Sequence, residues 1–425
     1  MAGPHEDLVI EPATPQSRDM AAPLEGIRVV EVASYVAAPA CGALLADLGA
    51  DVIKVEVPWG EIYRHSLPRF AGFDTEFAGA PHFHMDNRGK RSLVLDLALP
   101  QALETLAKVI DGADVVLTNM LPERQAKYGL DPETLLEKHP HLIIARVSGY
   151  GTEGEEANAP AFDYSSYWAR TGLMDQLHEP DAPPAFQRPG MGDHSASLSL
   201  TVGILAALRT RDGDGKGQVI DVSLQHTGFY IEGNDAAVTL VTGQSPPRHD
   251  RREARNPLWN HYQCGDGRWL FLVMIESDRY WRTFIESIGQ PELAADERLA
   301  TAVPRYENAK ELIQRLDEVF ATRSLDEWTE ALSGRRLIWA PVLTVAEAVA
   351  DPQAEANGSF PTVAHPEWGE FRTVAPPLRM SGHDMPGTAP APALGADTLA
   401  ILTEAGVDDE TIALILAAAG TGVPD

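Results

Sequence analysis

Between residues 26 and 150, short β-branched runs alternate with stretches whose apolar positions recur every three or four residues. Gly26–Ala33, Asp51–Val57, Ser92–Leu97, Asp114–Asn119 and Leu142–Val147 are rich in Val, Ile and Leu, the pattern of strands covered on both faces. Between the first two, Cys41, Leu44, Leu45 and Leu48 keep helical spacing and Gly49 supplies a stop. Leu103, Leu106, Ala107 and Ile110 do the same between Leu97 and Asp114. This alternation predicts right-handed βαβ units and a mostly parallel sheet, an α/β architecture of Rossmann-like type.

The pattern then changes twice. Residues 151–192 are loop-rich, and an almost wholly apolar helix over Ser195–Thr210 follows, predicted to be buried on most faces. The turn Gly213–Gly217 and a strand over Gln218–Leu224 come next. Beyond 225, Leu258–Cys264 and Arg268–Ile275 flank Gly265-Asp266-Gly267 and read as a hairpin, with helices predicted at 277–288, 305–322 and 325–333. Ile338–Thr344 reads as a further strand, followed by a helix near 345–350, a Pro-rich crossing segment over 361–394 and two short helices. The expected organisation is an N-terminal extension (1–22), a large Rossmann-like domain (23–224), a small α+β domain (225–335) and a return to the large domain with the crossing segment (336–425).

Charge narrows the range of partners. Lys+Arg 34 against Asp+Glu 62 leaves a net charge of −28, which argues against nucleic acid and anionic membrane. An anionic ligand therefore needs a local basic patch; Lys90-Arg91 and Arg124 with Lys127 are the two candidates, the second after a predicted parallel strand. Two cysteines, Cys41 and Cys264, fit a reducing compartment. The acidic stretch 1–25 has no signal-peptide pattern, and no run approaches the ~20 apolar residues that span a bilayer, so a cytoplasmic location is expected.

The familiar cofactor motifs are absent. Ala33–Ala43 holds no G-x-G-x-x-G, and there is no Walker A loop, G-x-S-x-G elbow or H-E-x-x-H. His82 and His84, two apart on a presumed strand, lack a third metal ligand nearby, and no metal is expected. Gly192-Asp193-His194-Ser195 directly precedes the apolar helix. Asp and Ser are preferred helix caps, which gives a structural reading. The same place would keep a carboxylate ionised at the positive end of the helix, as a nucleophile toward thioesters requires. Position alone leaves both readings open.

Five strings occur in order: Pro23–Val57, Asn87–Leu97, Gly192-Asp193, Gly215–Leu224 and Val349–Gln353. Together they resemble the class III CoA-transferases, the group of the formyl/oxalate, carnitine and bile-acid enzymes. The resemblance runs from about 23 to 419. It implies an interlocked, ring-like homodimer acting on acyl-CoA and small carboxylic acids, with coenzyme A as co-substrate. It also implies that Asp193 is the nucleophile, through an aspartyl-CoA thioester. Carried over by position, CoA contacts fall on Tyr35, Val36, Ala37, Val57, Leu95, Asn119, Met120, Arg124, Lys127 and Tyr128. Val57 stands where some members have Arg, and Arg124 is expected to compensate. Two rival functions accompany the resemblance. One is an α-methylacyl-CoA racemase, whose His before Asp is here Phe162 before Asp163, and a phenyl ring takes no proton. The other is a non-catalytic acyl-CoA-binding paralogue, against which the intact Gly-Asp step speaks. Asp163 is expected to bond loop amides, and His194 to point away from Asp193.

Overall fold

The β-branched runs of the first 150 residues form strands, and a sixth follows the loop-rich stretch. The computed structural model describes residues 21–385 and 387–420; the expected extension 1–22 lies outside them except for its last two residues. The strands are β1 (Arg28–Val32), β2 (Asp51–Glu56), β3 (Arg91–Val94), β4 (Val115–Thr118), β5 (Ile143–Ser148) and β6 (Val219–Ser223). They form one sheet in the order β3-β2-β1-β4-β5-β6, with every pairing parallel. This is the doubly wound order, in which chain direction along the sheet reverses between β1 and β4.

Helices cover both faces because adjacent strand residues point to opposite sides. On one face Val29, Val52, Val115, Leu117 and Ala145 share a core with Ala38, Cys41 and Leu45 of α1 (Ala37–Asp47) and with Leu200 and Ile204 of a long helix, Met191–Asp214. On the other, Val30, Ile53, Leu93, Val116 and Ile144 meet Leu106 and Ile110 of a helix at Pro100–Asp111 and the C-terminal residues Ile401, Leu402, Ile412 and Ile415. Each such fully buried Leu or Ile contributes roughly 2 kcal/mol of transfer free energy.

Chain contacts divide the molecule into two units. Of the described residues, the larger comprises 21–171, Arg188–Ile231 and the part from Ala356 to Gly420, so segments before and after the smaller unit build it. The smaller comprises Gly172–Gln187 and Glu232–Glu355. Its antiparallel sheet joins β7 (Trp259–Gln263), β8 (Trp269–Val273) and β9 (Trp339–Pro341). Helices carrying Phe284, Phe320 and Trp328 close its core.

Four differences from the sequence expectation have local causes. The boundary at 225 falls inside the helix Leu224–Ile231, which continues from β6 and approaches Thr171 through Gly228. The boundary at 336 moves to 356, because β9 adds to β8 of the smaller unit instead of the parallel sheet. The crossing segment contains a hairpin, β10 (Thr362–His365) with β11 (Gly369–Arg372). The long helix buries one side only: Leu198, Val202 and Leu205 are exposed, although the sequence predicted burial nearly all round. No helix among the described residues is long and apolar enough to cross a membrane.

Candidate active site

Ligands of open parallel sheets bind beyond the carboxyl ends of the strands where the order reverses. A cavity of about 1070 Å³ opens there, lined by Ser34–Ala37 after β1, Val57 after β2, Leu95–Ala98 after β3, Asn119–Leu121 after β4 and Ser148-Gly149 after β5. Asn119 ties the two central loops together: its Oδ1 accepts from the Ser34 amide at 3.2 Å and its Nδ2 donates to the Ser34 carbonyl at 2.7 Å. α1 starts at the rim without a side-chain cap, so its positive end meets the cavity.

The loop before α1 is held by buried charge. Tyr35 takes φ +66°, a left-handed value that costs a non-glycine residue free energy. Its amide donates to the Glu61 carboxylate at 2.6 Å. Glu61 pairs with Lys54 of β2 at 2.7 Å, and Lys54 with Glu31 of β1 at 3.0 Å. Glu31 also pairs with Lys90 at 2.7 Å. Lys90 donates further to the carbonyls of Pro39 and Asp86 and to the Asn87 side chain. Gly42 of α1 makes this possible, since a Cβ there would lie 2.1 Å from a Glu31 carboxylate oxygen. Burial opposes the charge on Lys54, yet Glu31, Glu61 and Glu56 raise its pKa above that of an ordinary lysine. Burial pulls Lys90 down to about 8, against the pull of Glu31.

The sequence reading of Lys90-Arg91 as an anion site is therefore corrected. Lys90 is buried and turned inward, and Arg91 engages Asp51 and Glu404. Sequence inspection missed the network because its members lie 23 and 59 residues apart and each resembles a surface charge. The only local signal was polar Glu31 and Lys54 interrupting otherwise apolar central strands.

The long helix begins earlier than predicted, with Gly190 at φ +82° as its cap residue. Asp193 is thus the third helical residue and not the cap. Gly192 is required beside it, because a Cβ would lie 2.6 Å from the Tyr167 ring and 2.9 Å from Asp163 Cβ. Asp163, directly after Phe162, accepts from the amides of Gly190 and Gly192 at 3.0 and 3.3 Å and so fixes the turn. His194 Nε2 lies 2.9 Å from the buried Asp86 carboxylate. Burial opposes charge on His194, but Asp86 raises its pKa above the ordinary histidine value.

The half-buried carboxylate of Asp193 is pushed up to about 7, first by loss of water and then by the neighbouring Asp163; His194 opposes the rise and Asp86 adds to it. Burial and Asp163 thus act against the ionisation that a helix N-terminus favours. Tyr63, in the same wall, is held protonated by burial and by Asp86, Asp193, Glu61 and Asp163.

Of the residues singled out in the sequence, Tyr35, Val36, Ala37, Val57, Leu95, Asn119, Met120, Arg124, Tyr128 and Asp193 all line this one cavity. Lys127 does not; its ammonium lies 5.4 Å from the Tyr128 ring centroid on the helix that carries Arg124. Phe162 also lines the cavity. His82 and His84 stand on a helix, Pro81–Asn87, and not on a strand. Residues two apart diverge on a helix, and His84 is buried while His82 is exposed. Of the smaller unit's aromatics, Tyr262 and Trp281 belong to its core.

Comparison with known proteins gives a consistent result. The profile of CoA-transferase family III matches residues 24–398. The (R)-2-hydroxy-4-methylpentanoate CoA-transferase of Clostridioides difficile is 31% identical over 389 residues, covering 92% of this chain and 97% of that protein. The cinnamoyl-CoA:phenyllactate CoA-transferase of Clostridium sporogenes is 31% identical over 394 residues, covering 91% and 94%. The crystal structure of a CaiB/BaiF family protein from Brucella suis superposes with a TM-score of 0.80 at 32% identity, over 91% of this chain and 100% of that one.

Proposed function

Because the chain belongs to CoA-transferase family III, we propose that it moves coenzyme A from an acyl-CoA donor to a carboxylic acid acceptor through an aspartyl-CoA thioester on Asp193. The observation that carries this reading is a carboxylate at the wall of the cavity over the β1–β4 reversal, presented by a glycine that admits no side chain.

The chemistry runs as successive acyl exchanges. The ionised Asp193 carboxylate attacks the donor thioester carbonyl; the C–S bond breaks, giving a mixed anhydride and CoA thiolate. The thiolate attacks the Asp193 carbonyl of that anhydride, forming the aspartyl-CoA thioester and releasing the donor's acid as carboxylate. The acceptor carboxylate then attacks the aspartyl thioester, which yields a second anhydride and again CoA thiolate. Attack of the thiolate on the acceptor's acyl carbon gives the new acyl-CoA and restores the Asp193 carboxylate. No proton is consumed, and each step replaces one difficult exchange by an easier one. The first turn of α1 lines the same cavity as Asp193, and its free amides suit the charge that develops on carbonyl oxygens in this chemistry.

The remaining cavity residues accommodate coenzyme A. Tyr35, Val36 and Ala37, Val57 and Leu95, and Asn119, Met120 and Tyr128 would receive its body. Arg124, with Lys127 on the same short helix, would meet its phosphates where Val57 offers no cation. The exposed Leu198, Val202 and Leu205 on the long helix support association into a homodimer. The free, buried thiols of Cys41 and Cys264 suit a cytoplasmic setting.

The test is CoA exchange between acyl-CoA donors and a panel of acids, with Asp193→Ala as control. Transfer by the native chain and none by the variant is expected; undiminished transfer by Asp193→Ala would rule the mechanism out. Exchange of the substrate α-proton with deuterated solvent, without transfer, would favour racemisation instead.

A further inference from the structure

Beside Asp193 the cavity wall is aromatic, and the histidine that acts on the nucleophile, His194, is itself engaged by Asp86. Phe162 adjoins Asp163, the residue that fixes the Gly190–Gly192 turn, and stands 57% exposed on the cavity wall. Tyr35 meets it edge-on at 5.3 Å between centroids, and Tyr63 lies 6.4 Å from Tyr35. Ile62 extends the same apolar surface. The charged groups in this wall are the carboxylates Asp163, Asp193 and Glu61.

Cations are placed elsewhere. Among the described residues that line the cavity, the cationic one is Arg124, and the charges acting on Asp193 are those of Asp163, His194 and Asp86. His194 is engaged by Asp86, and Lys54 by Glu31 and Glu61. Arg188, two residues before Gly190, is exposed and acts on Tyr164.

Resting on the CoA-transfer reading, we propose that the acids exchanged on Asp193 are monocarboxylates with an uncharged apolar body, a branched alkyl chain or aryl ring lying against Phe162, Tyr35 and Tyr63. An aryl body meets ring edges and faces there. A second carboxylate there would surrender its water beside Asp163 and Asp193, with Arg124 the one cation among the described lining residues, and this poorly compensated charge lowers kcat/KM by about 100-fold.

The experiment uses identity exchange, so that no donor–acceptor pairing need be known. Isotopically labelled acid is incubated with its own CoA thioester and the full chain, and label entering the thioester is followed. Succinate and 4-methylpentanoate form a near-isosteric pair that differs in a terminal carboxylate against two methyls; 3-phenylpropanoate supplies the ring. The expected result is exchange of the two apolar acids with kcat/KM about 100-fold above that of succinate. Phe162→Ala should raise KM for 3-phenylpropanoate roughly 10-fold with kcat little changed, and Phe162→Leu should restore most of the loss. Succinate exchanging as fast as its isostere would overturn the proposal while leaving CoA transfer intact. Loss of that succinate exchange in Arg188→Ala would then assign its distal carboxylate to Arg188. No exchange with any acid would overturn the CoA-transfer reading, and this proposal with it.

Discussion

Replacing Asp193 by Asn should stabilise the protein, and by an amount that grows with pH. In the folded chain the carboxyl is raised from the ordinary 3.8 to about 7, chiefly by burial and by Asp163. A carboxylate raised in this way favours the folded state fully below the unfolded value, near 4, and that contribution is lost as pH rises through about 7. Fully expressed, the displacement is worth roughly 4 kcal/mol at alkaline pH. About 2–3 kcal/mol of it develops between pH 5 and pH 8, less whatever solvent screening the half-buried position retains. Asn cannot ionise and escapes the cost. The assay is thermal and urea unfolding of ligand-free native and Asp193→Asn protein at pH 5, 6.5 and 8. The stability difference should widen steadily toward pH 8, by a few degrees in Tm. A difference that stays constant or narrows with rising pH would refute the reasoning, and with it the claim that this carboxylate is held under strain for its chemistry.

Since only the ionised carboxylate attacks, kcat/KM for the first acyl transfer should rise with pH and level off above about 7. His194→Gln removes the cation that opposes the rise in Asp193, so the midpoint in stopped-flow thiol release should move to higher pH. Gly192→Ala should cut kcat by about 100-fold while the fold survives, because the new methyl must displace Tyr167 and Asp163; circular dichroism alongside turnover separates the two effects. Lys54→Met leaves the buried Glu61 without its ion-pair partner and Glu31 with Lys90 alone, and should cost about 3–5 kcal/mol in urea unfolding.

What the chain reveals on inspection is whatever repeats locally. Val29, Val30, Val52 and Ile53 announce central strands because a strand covered on both faces must be apolar at successive positions, and the parallel sheet follows. The Gly-Asp step was visible, but the true start of its helix was not. Gly190 sets that start by its left-handed φ, a property that a glycine in a Pro- and Gly-rich loop does not advertise. Asp163 and Phe162 came from the family resemblance, whereas Glu61 was found only in three dimensions, because a loop carboxylate does not announce its pairing with Lys54 of β2 or with the Tyr35 amide 26 residues away. Arg91 illustrates the converse: a basic residue beside a strand looked like a ligand site and proved to answer Asp51 and Glu404, the latter 313 residues away. The strand at Trp339–Pro341 was legible as a strand, but its allegiance to β8 was not, since pairing partners are set by tertiary contact.

The central claim is a covalent one, so the most direct measurement is on the covalent state. The native protein is incubated with an acyl-CoA and no acceptor, quenched in acid, digested and analysed by mass spectrometry. A coenzyme A adduct on the peptide carrying Gly192-Asp193, discharged by an added acid and absent from Asp193→Asn, is the predicted result. Turnover with the adduct on another residue, or with the Asp193→Asn protein still labelled, would contradict the account.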